Sequence, residues 1–334
     1  MTGGAMNGWN DILHELENAK TPQGGPDLDG VRRGKMKAVA DKTGRPLIVY
    51  ASDFLGKARG VPDCAIDLND KDGFVEVAST LSGEGVDVLL HSPGGLAEAA
   101  ESIVKILRAH FKTVRFIVPN VAKSAATMLA LSGDEILLDT GAELGPIDPQ
   151  FQLPRGDGSI VVAPAQAIID QFDAMEKKVK DDPRALPAHI PILQFYAPSL
   201  YQQAKNAIDL SRNLVKEWLA AYMLASRKPV AERNRLAAGV ARYLCDHNKF
   251  KSHAKGIRLE DFRGVNALKC VKVVDLGEQP ELQSLVRGLH YAIGMTFNMS
   301  SAFKIFENSE GKAMIRHLRA VQIQGPGLPQ QQLV

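Results

Sequence analysis

The chain has 334 residues, of which 45% are hydrophobic and 23% are charged, and its formal net charge is +2. This composition is that of a folded globular protein and excludes an intrinsically disordered one, and the length suffices for one large domain or two smaller ones. A net charge so near zero gives no electrostatic footprint for nucleic acid or for an anionic membrane surface, so neither is expected as a partner.

The first forty residues are polar and Gly-rich at the start, and residues 9–19 within them predict a helix. They lack the continuous apolar segment of a signal peptide, and nowhere does the chain have the roughly 18 consecutive apolar residues that a membrane span needs. Cys64, Cys245 and Cys270 lack metal-ligand spacing and favour a reducing compartment without disulfides. We therefore expect a cytoplasmic protein in which residues 1–40 form an N-terminal helical extension.

Residues 41–160 alternate between strand and helix patterns. Apolar runs at 46–51, 86–90 and 114–118 predict strands, and the segments at 67–81 and 96–107 predict helices between them. Two breaks interrupt this pattern where a strand gives way to a helix: Ser92-Pro93-Gly94-Gly95, and the small-residue segment Ala122-Lys123-Ser124-Ala125-Ala126. Such an alternation predicts a parallel α/β sheet, so both loops should lie along one edge of it.

The residue types in these two loops suit acyl transfer. Gly94 and Gly95 can bring backbone N–H groups against a substrate because they carry no side chain. They are therefore predicted, with the N–H of Ala125, to form an oxyanion hole for a nucleophile at Ser124. On local chemistry alone, a plain tight turn followed by a serine helix cap explains the same residues equally well.

After Asp148 the pattern changes to helices. A short β run at 159–162 is followed by predicted helices at 165–180, 200–224 and 230–244. Residues 161–334 are thus predicted to be a mainly helical region that completes the active site and supplies oligomer contacts. Asp139 and Glu143 are placed on exposed turns without a role.

Four motifs in a fixed order carry a resemblance to a known family. SPGG at 92–95 is followed by AKSAATM at 122–128, DEILLD at 134–139 and LGPIDPQ at 144–150. This combination resembles the serine dehydrogenase proteinase family, a soluble relative of signal peptide peptidase and of the ClpP proteases. The tail KIFENSEG is also similar to that family. The resemblance implies a ClpP/crotonase-like spiral of β-α-β units with a helical C-terminal half.

The resemblance also implies a catalytic triad. Carried over residue by residue, Ser124 is the nucleophile, Asp148 the orienting carboxylate and His253 the general base. Triads recur in several chain orders, so the order Ser, Asp, His is no obstacle. Two prolines are also expected to stiffen the loop around Asp148. His91, beside the Gly-Gly turn, is a candidate for a residue that lines the site. No metal and no cofactor are expected.

The motif around the serine departs from the family pattern. The family usually has methionine before the serine and glycine two residues after it, whereas this chain has Lys123 and Ala126. Signal peptide peptidases use a Ser-Lys pair, so Lys123 is an alternative base. A residue adjacent to the serine usually points elsewhere, and a contact of Lys123 with substrate or with an acidic neighbour is the competing interpretation.

These inferences favour a serine peptidase that hydrolyses peptides or unfolded polypeptide through an acyl-enzyme on Ser124. Two alternatives stay open: a crotonase-like enzyme acting on acyl-CoA, and a catalytically silent oligomeric scaffold. Relatives in this superfamily form rings, so a homo-oligomer is expected. ClpP-type proteases rely on a separate ATPase partner, which nothing in this chain indicates, and the sequence contains no phosphate-binding loop of its own.

Overall fold

A computed structural model describes residues 8–318 except 58, 60, 156, 195 and 197. Its α-helices are α1 (Trp9–Asn18), α2 (Leu28–Thr43), α3 (Asp70–Ala78), α4 (Ala97–His110), α5 (Ala125–Leu131), α6 (Ala165–Asp181), α7 (Leu186–Leu193), α8 (Leu200–Ala221), α9 (Val230–Leu244), α10 (His247–Phe250), α11 (Leu259–Gly264) and α12 (Pro280–Met299). Its strands are β1 (Leu47–Ser52), β2 (Gly85–His91), β3 (Thr113–Val118), β4 (Val121–Ala122), β5 (Glu135–Leu138), β6 (Glu143–Leu144), β7 (Gln150–Pro154), β8 (Ile160–Pro164), β9 (Val273–Asp275), β10 (Ala302–Asn308) and β11 (Ala313–His317). Within the described residues no helix is long and apolar enough to cross a membrane.

A seven-stranded sheet in the order β11-β10-β1-β2-β3-β5-β9 organises the molecule. Five neighbouring strands run parallel to one another: β1, β2, β3, β5 and β9. On the other side of β1, β10 pairs antiparallel with β1, and β11 pairs antiparallel with β10. Parallel neighbours require crossover connections, which α3, α4 and α5 provide in chain order. The predicted α/β fold with a mostly parallel sheet is therefore confirmed.

Both faces of the sheet are covered by helices. Successive side chains of a strand point to opposite faces, and along β2 Val88 and Leu90 pack into the core beneath α3, α4 and α5, whereas Leu89 packs into the core beneath α2 and α12. Nearly every position of β1 and β2 is accordingly buried, rather than every second one. This architecture puts the carboxyl ends of β2 and β3 at one edge, next to the start of α5.

The terminal regions contribute to the same core. Helix α2, whose N-cap Asp27 accepts a hydrogen bond from the N–H of Gly30, packs along α12 on one face of the sheet. The region after residue 160 is mainly helical, but its last three strands return to the central sheet. Residues on both sides of the boundary predicted at residue 160 belong to the same buried hydrophobic cluster.

Candidate active site

Ser124 lies at the sharp turn where β4 passes into α5. Its backbone has φ 52° and ψ −122°, in the positive-φ region that residues with a side chain rarely adopt. Such a conformation costs of order 1–3 kcal/mol and persists only where the surroundings impose it. The buried helix that follows, in which every residue from Ala125 to Leu131 is buried, supplies that constraint. The turn presents the serine at the surface of the core without making it a hydrogen-bonding cap of α5.

The glycine loop lies directly against this serine. A parallel bridge joins Ser92 to Ala122, with N···O distances of 3.1 Å from Ser92 N to Val121 O and from Lys123 N to Ser92 O. A Cβ atom added to Gly94, which has φ 90°, would lie 2.4 Å from the carbonyl oxygen of Lys123 and 2.7 Å from the Cβ of Ser124. Only glycine permits this approach.

Two backbone N–H groups at this junction have no acceptor in the described residues. Ile66 donates to the carbonyl of Gly94 and accepts from Leu96, so the N–H of Gly95 between them points away from Ile66. The N–H of Ala125, at the first position of α5, likewise donates to none of the residues described. The N–H of Gly94 differs, because it donates to the hydroxyl of Ser92 at 3.2 Å.

The loop that carries Asp148 is fastened to the serine segment. The buried hydroxyl of Thr127 donates to the carbonyl of Ala122 at 2.8 Å and accepts from the N–H of Gly145 at 2.9 Å. Leu144 forms an antiparallel bridge with Ile257. Side-chain and backbone bonds thus hold the serine segment, the Asp148 loop and the segment after His253 together.

Asp148 is the centre of a buried polar cluster. Its side chain is only 3% exposed. One carboxylate oxygen accepts from Nδ1 of His253 at 2.7 Å, and the other contacts Nδ1 of His247 at 2.9 Å and Nε2 of Gln150 at 2.8 Å. A carboxylate buried to this degree needs such donors, because an unpaired buried charge is costly.

The Lys123 side chain extends into the loops beside the serine segment. Its Nζ forms an ion pair with Glu143 at 2.6 Å and donates to the carbonyls of Leu144 at 3.1 Å, Lys255 at 3.3 Å and Ala254 at 3.4 Å. All four partners are acceptors, so the three N–H donors of the ammonium are shared among them. Lys123 thus contacts an acidic neighbour, and Glu143 lies on β6 in a half-buried ion pair rather than on an exposed turn.

His91 lies on the other face of the sheet. Its side chain follows the direction of Leu89, and its ring contacts those of Phe54 and His290, each with a centroid separation of 5.0 Å. Burial and, to a smaller extent, the nearby His290 lower the pKa of His91 to about 3. The structure therefore places Ser124 against its glycine loop and His253 against Asp148, and it places the His91 ring against α12.

Sequence reasoning missed His247 and Gln150 as neighbours of Asp148. Gln150 lies in the LGPIDPQ motif, two residues after Asp148, so the motif offered a signal for it. His247 has no local signal, because 99 positions separate it from Asp148. Among the described residues no group of three or more His, Cys, Asp or Glu side chains is arranged to hold a metal ion.

The mostly parallel sheet covered by helices on both faces, with a serine beside a glycine loop, defines an α/β protein. Residues 64–191 match the family described as ClpP-like SDH-type serine proteinase. This match confirms, over that segment, the resemblance to serine dehydrogenase proteinases that the motifs indicated.

Two uncharacterized proteins of Methanocaldococcus jannaschii are similar to part of the chain. One is 46% identical over 89 residues, which is 26% of this chain and 30% of the relative, and the other is 36% identical over 97 residues, which is 29% of this chain and 30% of the relative. The chain thus matches less than a third of the length of these curated relatives.

Solved structures to which part of the chain is similar include two mutant forms of the 1510-N membrane-bound stomatin-specific protease. They are 17% and 19% identical, cover 64% of this chain and 92% and 87% of theirs, and have TM-scores of 0.30 and 0.29. The second is in complex with a substrate peptide. A mutant of ClpP1 from Listeria monocytogenes is 10% identical, covers 67% of this chain and 98% of its own, and has a TM-score of 0.32.

Proposed function

We propose that the protein is a serine peptidase with Ser124 as nucleophile and Asp148 and His253 as its orienting carboxylate and base. The observation that carries this proposal is the hydrogen bond of 2.7 Å between Asp148 and His253. The two residues after His253 accept hydrogen bonds at their carbonyls from Lys123, which directly precedes Ser124. The match of residues 64–191 to a serine proteinase family supports the same reaction class.

Each member of the triad has a role that follows from its contacts. An ionised carboxylate can only accept hydrogen bonds, so the Nδ1 of His253 carries the proton that Asp148 binds. Nε2 of His253 is then left with its lone pair and takes the proton of the Ser124 hydroxyl as that oxygen attacks the peptide carbonyl. The imidazole afterwards returns the proton to the leaving amine, and water releases the acyl group from Ser124 by the same path.

The oxyanion would be held by backbone N–H groups. Those of Gly95 and Ala125 are free of acceptors in the described residues and flank Ser124. Developing negative charge on the carbonyl oxygen is stabilised by such fixed donors, and one donor is typically worth about 2.7–4 kcal/mol. The N–H of Gly94 already donates to the hydroxyl of Ser92, so it is not one of these donors. Gly94 instead allows the glycine loop to approach Ser124 closely.

Lys123 is the weaker candidate for the base. A general base must release its proton and reach the serine hydroxyl. The Lys123 ammonium instead donates to Glu143 and to three carbonyls of the neighbouring loops. We propose that it anchors the loop of His253.

The proposed substrate is a peptide or an unfolded polypeptide with apolar side chains. Strand β7 begins two residues after Asp148 and forms a hairpin with β8. A cavity of about 600 Å³ lies between this hairpin and α7, lined by Leu153, Val161, Ile192 and Tyr196 among others. Apolar lining with a few polar groups at the edge is typical of ligand sites of this size.

We also propose that the protein is a homo-oligomer. Ile160 and Val162 of β8 are 60% and 59% exposed and neighbour one another on the hairpin. Exposed apolar groups arranged in this way are typical of contact surfaces. Light scattering in solution should give a mass of several chains, and a single-chain mass at working concentration would contradict this part of the proposal.

A fluorophosphonate that reacts with activated serines tests the catalytic proposal. The wild-type protein should carry one adduct on Ser124, and Ser124→Ala should carry none. His253→Ala should slow labelling by about 10²- to 10⁴-fold, which is the usual contribution of a general base. Lys123→Met is the matched control for the alternative base and should still be labelled at Ser124.

Two outcomes would contradict the proposal. Loss of labelling in a folded Lys123→Met protein, with His253→Ala unaffected, would make Lys123 the base. If folded wild-type protein takes no label and hydrolyses no peptide, the proposal of a serine peptidase is contradicted. Acyl-CoA binding would then be the measurement to make.

A further inference from the structure

The carboxylate of Asp148 is shared between two histidines. His253 Nδ1 lies 2.7 Å from Oδ1 and His247 Nδ1 lies 2.9 Å from Oδ2, where Gln150 Nε2 also donates at 2.8 Å. His247 is 16% exposed in its side chain and His253 is 26% exposed. A triad needs one histidine, so the second contact requires an explanation.

The chemistry of the carboxylate defines both histidines. Because an ionised carboxylate only accepts, each neutral ring must be protonated at Nδ1 to bind it. The three donors then hold both oxygens of Asp148 in fixed positions. Without His247, Oδ2 of Asp148 would keep only the amide donor of Gln150. The carboxylate would then be held less firmly against rotation about its Cβ–Cγ bond, since terminal torsions of this kind are broad.

The two histidines lie on different sides of the cluster. The two residues after His253 place their carbonyls on Lys123, next to Ser124. His247 is instead the first residue of α10, whose N-cap Asp246 accepts from Lys249, and the adjacent Asn248 donates to Asp170 of α6 at 3.1 Å. This places His253 toward the serine and His247 toward the helical region.

We propose that His247 is a positioning residue, which uses its Nδ1–H to fix the Asp148 carboxylate so that one oxygen is reserved for His253. This inference rests on the proposed function of Ser124, Asp148 and His253. Its action is indirect, because His247 touches the carboxylate and not the reacting atoms.

The choice of substituents at position 247 makes the test specific. The amide nitrogen of Asn occupies roughly the place of Nδ1 of histidine, whereas that of Gln reaches about as far as Nε2. His247→Asn should therefore keep kcat for an apolar reporter peptide within about threefold of the wild type. His247→Gln and His247→Ala should lower kcat by about tenfold to a hundredfold with KM unchanged, which is the usual range for a misplaced catalytic group.

Two kinetic results would overturn the inference. If His247→Ala has the kcat of the wild type, the contact with Asp148 has no part in catalysis. If His247→Asn is as inactive as Ser124→Ala while His253→Asn keeps its activity, His247 is the base and the two roles are reversed.

The positioning role of His247 can be tested independently of peptidase activity by a measurement that needs no substrate turnover. Nitrogen-15 NMR of Ser124→Ala protein should show the Nδ1–H protons of both histidines far downfield and protected from exchange. Adding His247→Ala should bring the His253 Nδ1–H into faster exchange with water, and adding His247→Asn should restore its protection. An unchanged His253 signal in the His247→Ala protein would overturn the positioning role, whether or not the wild type proves to be a peptidase.

Discussion

The strained conformation of Ser124 depends on the absence of a side chain opposite it. The hypothetical Cβ of Gly94 would overlap the carbonyl of Lys123 and the Cβ of Ser124. A backbone carbonyl at 2.4 Å cannot move aside without shifting the turn itself. The position of the nucleophile and the identity of residue 94 are therefore coupled.

This coupling predicts a specific result for Gly94→Ala. The control is Gly141→Ala, because Gly141 has φ 83°, close to the 90° of Gly94, but open space around its Cβ position. Placing alanine in left-handed backbone costs about 1–2 kcal/mol, and this cost should appear in the free energy of unfolding of both variants. Gly94→Ala should lose more than Gly141→Ala in urea denaturation and should no longer be labelled at Ser124. Equal stabilities with labelling retained in both would show that the glycine loop does not contact the serine as described.

Local sequence patterns predicted the glycine loop and Ser124. They did not predict residues whose partners lie far away along the chain. Glycines and a serine at strand-to-helix junctions can be recognised within a few residues of sequence. Asp139 was expected on an exposed turn, yet it is 5% exposed and receives two hydrogen bonds from Arg287, which is 148 positions away. Like His247, it was missed because the partner that makes its burial tolerable comes from a distant element.

At the scale of elements, helix α12 and strand β2 contact one another through a pair of histidine rings. His91 at the end of β2 and His290 on α12 lie 5.0 Å apart between ring centroids. Burial lowers the pKa of His91 to about 3 and that of His290 to about 4, both from an ordinary value of 6.5. Both rings therefore stay neutral in the folded protein at pH values where the unfolded chain binds protons.

The sign of the resulting pH dependence follows from proton binding. Below pH 6.5 the unfolded state binds a proton at each histidine and the folded state does not, so the free energy of unfolding falls as the pH falls toward 4. Each histidine should cost about 2 kcal/mol at pH 5 relative to pH 7.5. His290→Phe, which retains a ring between β2 and α12, should therefore lose about 2 kcal/mol less than the wild type over this interval.

Urea denaturation of both proteins at pH 7.5 and pH 5 measures this difference. His14→Phe is the control for removing a histidine, because the His14 side chain is 74% exposed. An identical pH dependence in His290→Phe and the wild type would show that His290 does not remain neutral beneath α12.

Most elements of the parallel core followed from the sequence, but the strand after α12 did not. The runs that became β1, β2 and β3 are mostly apolar, although β2 includes Asp87 and β3 includes Arg115. Strand β10 is buried at every position, yet it includes Lys304, Glu307 and Asn308, which local patterns assign to a surface. Lys304 is buried because its ammonium pairs with Asp70 at 2.9 Å, and Asn308 because it donates to the carbonyl of Val77.

At the scale of the whole molecule, the two ends of the described chain are joined across the sheet. Strand β10 pairs with β1, and Glu307 of β10 is fully buried against α2. Its two oxygens accept from Nε of Arg32 at 2.5 Å and from Nε of Arg33 at 2.7 Å. Arg32 is itself fully buried and also donates to Thr296 of α12.

Glu307→Gln should therefore destabilise the entire fold rather than one edge of it. The substitution keeps the volume of the side chain but leaves the Arg32 guanidinium without its buried anion, and breaking a buried pair in this way typically costs about 3–5 kcal/mol. Glu281→Gln is the control, because Glu281 pairs with Lys42 with 73% of its side chain exposed, and an exposed pair contributes at most about 1 kcal/mol. Because one core spans both termini, the unfolding of Glu307→Gln should remain a single cooperative transition at lower urea concentration, followed by circular dichroism and by tryptophan fluorescence. Two separate transitions would mean that the sheet holds together without the link between α2 and β10.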